Sequence, residues 1–109
     1  MAFEPKIYYV YILASKPRGV LYIGFTGSLA PRVDQHKRGE IDGFTKRYHV
    51  KRLVYYEMFS DPLSGIKREK QLKKWKRAWK IHLIEKHNPQ WFDLYDQGEI
   101  LLLPTERDS

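Results

Sequence analysis

Near its N-terminus the chain carries Ile7-Tyr8-Tyr9-Val10-Tyr11-Ile12-Leu13, an unbroken run of β-branched, aromatic and aliphatic residues. No polar alternation leaves one side of the run to solvent, so the pattern predicts a strand in the interior of a sheet. A turn cluster follows, Ser15-Lys16-Pro17-Arg18-Gly19, and then a second apolar run, Val20-Leu21-Tyr22-Ile23-Gly24-Phe25. The first unit is therefore a β-hairpin. Its register stays open, and a slip of one residue would exchange the faces.

Ser28 is placed to cap a helix from Leu29 to about Arg38, with Pro31 in the tolerant first turn and Gly39 ending it. A polar loop from Glu40 to His49 leads to a third strand, Leu53 to Phe59. Asp61 and Pro62 supply a cap and a first helical residue for a pattern that runs to about Lys86. That length suggests a break near Trp75–Arg77, and Asn88-Pro89 stops the run. The order β-β-α-β-α-α gives an α+β fold, a small three-stranded, mainly antiparallel sheet flanked by helices. With 109 residues there is room for one domain, expected over 1–95, and the acidic stretch 96–109 is expected to fray.

Composition narrows the function classes. No run of eighteen apolar residues is present, so a membrane partner is not expected. The absence of cysteine removes disulfides and thiolate metal sites, and the charged N-terminus lacks signal-peptide architecture. A cytoplasmic protein is the expectation. Residues 1–84 hold eighteen basic against seven acidic side chains, and residues 85–109 hold two against six. A basic body of this kind attracts a phosphate backbone through counterion release, although positive charge also solubilises a fold without binding anything.

The residue that stands out is Glu69, the one acid among eight bases in Lys67–Lys80. Ile66, Glu69 and Leu72 recur every three residues, which places the carboxylate on or beside the apolar stripe facing the sheet. Its partner is either a nearby Lys70 or Lys73 in an ordinary ion pair, or a hard divalent cation that keeps waters for phosphate oxygens. Tyr11 and Tyr22 flank the first turn at similar distances, so a simple hairpin brings them together. Strand tyrosines usually pack. As catalysts they would orient a water or take its proton, which requires a pKa well below about 10, helped by Arg32 or a metal. Arg32 and His36 share a helix face, four residues apart. Arg32 is either a solvated helix residue or a two-pronged phosphate ligand, and His36 either a surface histidine or a proton carrier. Lys46, Arg47, Lys51 and Arg52, interleaved with Phe44, Tyr48 and His49, form a second basic patch suited to backbone contact and stacking. Trp75 and Trp79 follow Leu72 at helical spacing and are expected in the core.

These pieces together resemble the GIY-YIG nuclease superfamily, within it the short stand-alone bacterial proteins related to the nuclease domain of the excision-repair incision subunit. Tyr9-Val10-Tyr11 stands at the GIY element and Tyr22-Ile23-Gly24 at the YIG element. The helix with Arg32 and His36 and the Arg68-Glu69 pair follow in order, over about residues 7–90. The resemblance implies a DNA endonuclease, with Glu69 as the single metal-binding carboxylate for Mg²⁺ or Mn²⁺. Arg32 would stabilise the attacked phosphate, Tyr11 and Tyr22 would position or deprotonate the water, and His36 falls where some members carry an active-site histidine. A role in DNA repair or recombination, with no organic cofactor, goes with it. Lys46, Arg47, Lys67, Arg68, Lys70, Lys73, Lys74, Lys76 and Arg77 are the expected nucleic-acid contacts, with RNA and a protein partner left open. Two departures stand out: Tyr9 replaces the glycine of the first element, and an asparagine used by some members falls near Ile81 here, leaving Asn88 without an assigned role. A catalytically weak binding module of the same fold is the alternative, and an interaction domain for an acidic protein a third.

Overall fold

The computed structural model describes residues 5–41 and 43–106; the first four residues of the expected domain and the last three of the expected tail lie outside them. Strand β1 (Tyr8–Ala14) pairs antiparallel with β2 (Leu21–Thr26) on one side and with β3 (Arg52–Phe59) on the other. The sheet order β2-β1-β3 makes the unbroken apolar run the central strand, as its pattern predicts, and Val10 to Ala14 are all buried. The hairpin register sets Tyr11 opposite Gly24 and Leu13 opposite Tyr22.

Helix α1 (Leu29–Lys37) packs against β1 through Leu29 and Val33. Ser28 occupies its N-cap position, but the hydroxyl makes no capping bond. Pro31, at the third helical position, has no N–H to offer that hydroxyl. The loop expected after it contains one helical turn, α2 (Phe44–Arg47), whose Thr45 is buried. Helix α3 (Pro62–Lys74) is capped by Asp61, whose carboxylate accepts from Ser64 N–H at 2.8 Å. Gly65 lets this helix approach β2, because a Cβ there would lie 2.5 Å from the Phe25 ring. The chain turns extended at Trp75 and Lys76, and helix α4 (Arg77–His87) follows. The expected break is where the pattern places it.

The break changes the fate of the tryptophans. Trp75 packs partly against the core, but Trp79 is 54% exposed, because two extended residues interrupt the helical phase that would carry both inward. Ile84 takes the buried position on α4 instead.

Where fraying was expected, β4 (Tyr95–Asp96) and β5 (Glu99–Ile100) form a small hairpin, followed by a 3₁₀ turn at Pro104–Glu106. Leu94 and Leu103 are buried, and the Tyr56 hydroxyl donates to the Leu101 carbonyl at 2.8 Å. Asn88 does more than stop a helix. It is fully buried, its Nδ2 donates to the Val54 and Phe92 carbonyls, and its Oδ1 accepts from Phe92 N–H. No helix among the described residues is long and apolar enough to cross a membrane.

Candidate active site

The site is built on the β1–β2 hairpin. A Cβ at Gly24 would overlap both the Cζ and the hydroxyl oxygen of Tyr11. The Tyr11 ring therefore lies over β2 in the space a side chain would take, which carries its hydroxyl toward the outer edge of the sheet. Tyr22 is its diagonal neighbour across the hairpin, with ring centroids 6.3 Å apart.

His36 comes down on the same pair from α1. Its ring centroid is 5.9 Å from that of Tyr11 and 5.4 Å from that of Tyr22. It is buried, not on the surface, and both ring nitrogens are engaged: Nε2 with the Tyr11 hydroxyl at 3.1 Å and Nδ1 with Thr45 Oγ1 at 2.9 Å. In one tautomer the Tyr11 O–H donates to Nε2 while Nδ1–H donates to Thr45; in the other the chain runs in reverse. Burial, reinforced by the Arg32 guanidinium, pushes the histidine pKa down to about 4, so it is neutral at pH 7.

Burial also pushes the Tyr11 hydroxyl well above the usual phenol range, with the Tyr22 phenol and the Glu69 carboxylate acting the same way and Arg32 opposing them. The lowered pKa that base catalysis by Tyr11 needs is therefore not what its surroundings give. Arg32 and Glu69 thus both act on the Tyr11 hydroxyl electrostatically, with opposite signs. Arg32 is exposed one helical turn before His36. Glu69 faces inward from α3, as the three-residue spacing predicts, and Lys73 Nζ pairs with its Oε2 at 3.0 Å. Tyr11, Tyr22 and His36, scattered in sequence, thus meet at the β2 edge, with the Arg32 charge on α1 and the Glu69 charge on α3 acting on the Tyr11 hydroxyl.

Residues 7–82 match the GIY-YIG catalytic domain. The chain belongs to the GIY-YIG family. It is 43% identical over 84 residues to a UPF0213 protein of Syntrophus aciditrophicus, covering 75% of this chain and 93% of that one. A UPF0213 protein of Staphylococcus haemolyticus is 36% identical over 78 residues, with 72% and 94% covered. The solution NMR structure of a UPF0213 protein from Bacillus halodurans is 28% identical, with a TM-score of 0.47 over 73% of this chain and 84% of that one. A GIY-YIG nuclease domain implies a nucleic-acid substrate in general terms.

Not all the basic residues of this GIY-YIG domain stand near the site. Lys73 does, through Glu69, and α2 brings Lys46 and Arg47 alongside, with Phe44 stacked near Tyr22 at 6.5 Å. Lys67, Lys70 and Lys74 are exposed on α3 and line a shallow depression rotated away from the sheet. Arg68 is committed to the fold: its Nε and Nη2 donate to the two Glu57 oxygens at 2.9 Å each, and its guanidinium lies over the Trp75 ring. Arg77 Nη2 donates to the Arg18 and Gly19 carbonyls, clamping the hairpin turn. Lys76 lies 5.8 Å from the centre of the exposed Trp79 ring.

Sequence reading missed the parts that Thr45 and Gly24 play in this site, while Phe44 was named there only in the basic and aromatic patch. Gly24 had a signal, since it completes the Tyr22-Ile23-Gly24 element and its missing side chain is what the Tyr11 ring needs. Thr45 had none: nine residues separate it from His36 and only the closure of the loop brings them together.

Proposed function

We propose that this protein is a divalent-metal-dependent DNA endonuclease that hydrolyses phosphodiester bonds, acting in DNA repair or recombination. The observation that carries the reading is the convergence on Tyr11. Its hydroxyl is held by neutral His36, its ring lies over Gly24, and both the arginine and the glutamate of the site act on it electrostatically. A binding surface alone has no use for a phenol fixed so completely.

Among the described residues no group of three or more His, Cys, Asp or Glu could hold a metal. The donor set is one half-buried carboxylate, which fits a hard ion that keeps several waters and shares phosphate oxygens, and fits no softer or multidentate metal. Glu69 would hold Mg²⁺ or Mn²⁺ once Lys73 gives way. The ion would supply charge stabilisation at the leaving oxygen. Arg32, exposed and charged, offsets the charge growing on the attacked phosphate. Tyr11 stays protonated and positions the attacking water, while His36, itself bonded to Thr45, holds the Tyr11 hydroxyl in place. Proton removal falls to solvent, since burial holds Tyr11 protonated.

The test is cleavage of branched, flapped and linear DNA by the purified protein, with Mg²⁺ or Mn²⁺ and with chelator. Glu69→Gln should abolish metal-dependent cleavage, and cleavage that survives it unchanged sinks the assignment. A second reading, a nucleic-acid-binding module with negligible turnover, draws support from the Lys73–Glu69 pair, which already neutralises the carboxylate. DNA binding without cleavage of any substrate would favour it.

A further inference from the structure

The aromatic side chains around the site do not end at the tyrosines. Beyond Tyr22 comes Phe44, with ring centroids 6.5 Å apart and planes within 27° of parallel, and beyond Phe44 comes Tyr48 at 5.0 Å. Phe44 and Tyr48 are 46% and 45% exposed, displayed by the single turn of α2. Beside this ladder lies a hollow of about 270 Å³, with Tyr22 and Phe44 among its apolar walls and Lys73 and Lys80 as its cations. The Arg47 guanidinium lies over the Tyr48 ring at 5.4 Å.

Two half-exposed rings rimmed by cations suit a flat apolar ligand that carries negative charge. A nucleobase with its phosphate has that chemistry. Bases in a duplex have both faces covered by their neighbours and cannot use such rings, whereas an unpaired base can. The ladder starts at Tyr22, within the candidate site, so a base seated on it belongs to a nucleotide close to the bond being cut.

We propose that Phe44 and Tyr48 form a stacking subsite for one unpaired nucleotide of a DNA strand next to the scissile phosphate, with Lys73 and Lys80 drawing in its phosphate. The position of this subsite relative to the chemistry rests on the nuclease reading; the binding itself does not. Substrates with an unpaired nucleotide should therefore be preferred over continuous duplex.

The test is done in chelator, where no metal-dependent cleavage occurs. Binding of a flapped DNA and of a duplex of equal length is measured by fluorescence anisotropy, with 2-aminopurine at the first unpaired position reporting stacking. The intact protein should bind the flapped DNA more tightly and change the 2-aminopurine signal. Phe44→Leu, which keeps apolar volume without a stacking face, should cut flap affinity by about tenfold and leave duplex affinity unchanged. Tyr48→Leu should do the same. Equal affinity for both DNAs, an unchanged 2-aminopurine signal, or an equal loss on both DNAs in the variants would overturn the subsite. Tight binding of an acidic peptide that competes at this patch while flapped DNA does not would also overturn it. The two readings fail separately. A Phe44-dependent preference without cleavage in Mg²⁺ sinks the nuclease, and cleavage with a preference indifferent to Phe44 sinks the subsite.

Discussion

Tyr11 takes its orientation from a residue that has no side chain. Gly24 leaves the volume that the phenol fills, and a methyl group there would overlap the ring. Gly24→Ala must therefore push Tyr11 aside, at a cost of about 1–3 kcal/mol from overpacking, and pull its hydroxyl off His36. Thermal unfolding should report the destabilisation, and cleavage assayed well below the melting temperature should fall by more than the lost folded fraction explains. Wild-type activity in a destabilised Gly24→Ala protein would remove Tyr11 from the mechanism. His36 gives a second residue-scale expectation. Its folded pKa of about 4 lies below the ordinary value near 6.5. The unfolded chain thus binds the extra proton first as pH falls, so the stability due to neutral His36 is complete above about 6.5 and is lost on the way down to about 4. Urea unfolding between pH 4 and 7 should show this loss, on the order of 2 kcal/mol, and His36→Gln should flatten that part of the profile. Parallel profiles would mean that the histidine is not held neutral by the fold. The two tyrosines and Arg32 were legible because motif residues sit in regular elements whose spacing is readable. The state of His36 was not, since its burial depends on α2 closing over it from a loop with no periodicity.

Helix α3 shows how one element divides its charges. Gly65 brings it close to β2, and one turn later Glu69 faces the site, while Arg68 reaches β3 and locks onto Glu57. That pair is mostly buried, with side-chain exposures of 23% and 20%, and the Tyr55 hydroxyl donates to the same carboxylate at 2.7 Å. Removing the guanidinium leaves the largely buried Glu57 carboxylate without its charged partner, with the Tyr55 hydroxyl still donating to it. Arg68→Ala should cost about 2 kcal/mol in chemical denaturation and hardly change the salt dependence of DNA binding. Lys67, Lys70 and Lys74 lie on the outer face, and replacing all three by Gln should leave stability within about 0.5 kcal/mol. If the outer face meets DNA, the slope of log affinity against log salt should shrink by about 0.9 for each phosphate that these lysines neutralise. An unchanged slope would show that DNA meets α2 and the β2 edge alone. Charge counting could not separate these groups, because Arg68 and Lys67 are adjacent in sequence and differ only in what the helix turns each of them toward. The helix break was legible for the opposite reason: a helical pattern running to Lys86 is too long for one packed element in so small a sheet protein.

At the scale of the whole molecule, the family match ends at residue 82, yet the core does not. Ile84, Asn88, Trp91, Leu94 and Leu103 are all buried beyond that point. They close over β3: Asn88 holds the Val54 carbonyl, Leu94 N–H donates to the Leu53 carbonyl at 2.7 Å, and Asp93 accepts from Leu53 N–H while pairing with Lys37 of α1. Acids late in the chain serve contacts with its basic body: Asp93 meets Lys37, and Glu85 meets Arg18 at the hairpin turn. Composition registers the charge but not where it lands. A chain ending at Phe92 would expose the cavities left by Leu94 and Leu103, at about 1.5–3 kcal/mol each. It would also remove the partners of the Leu53 N–H and carbonyl and take Asp93 away from Lys37, whose Nζ keeps only the Lys51 carbonyl among these contacts. The sum approaches the full 5–15 kcal/mol that typically holds a domain together, roughly speaking. Circular dichroism of that shortened chain should show a broad transition, or none, at temperatures where the full chain unfolds cooperatively. Its DNA affinity should fall with its structure. A sharp transition near that of the full chain would mean that the segment after 92 decorates the fold and does not complete it.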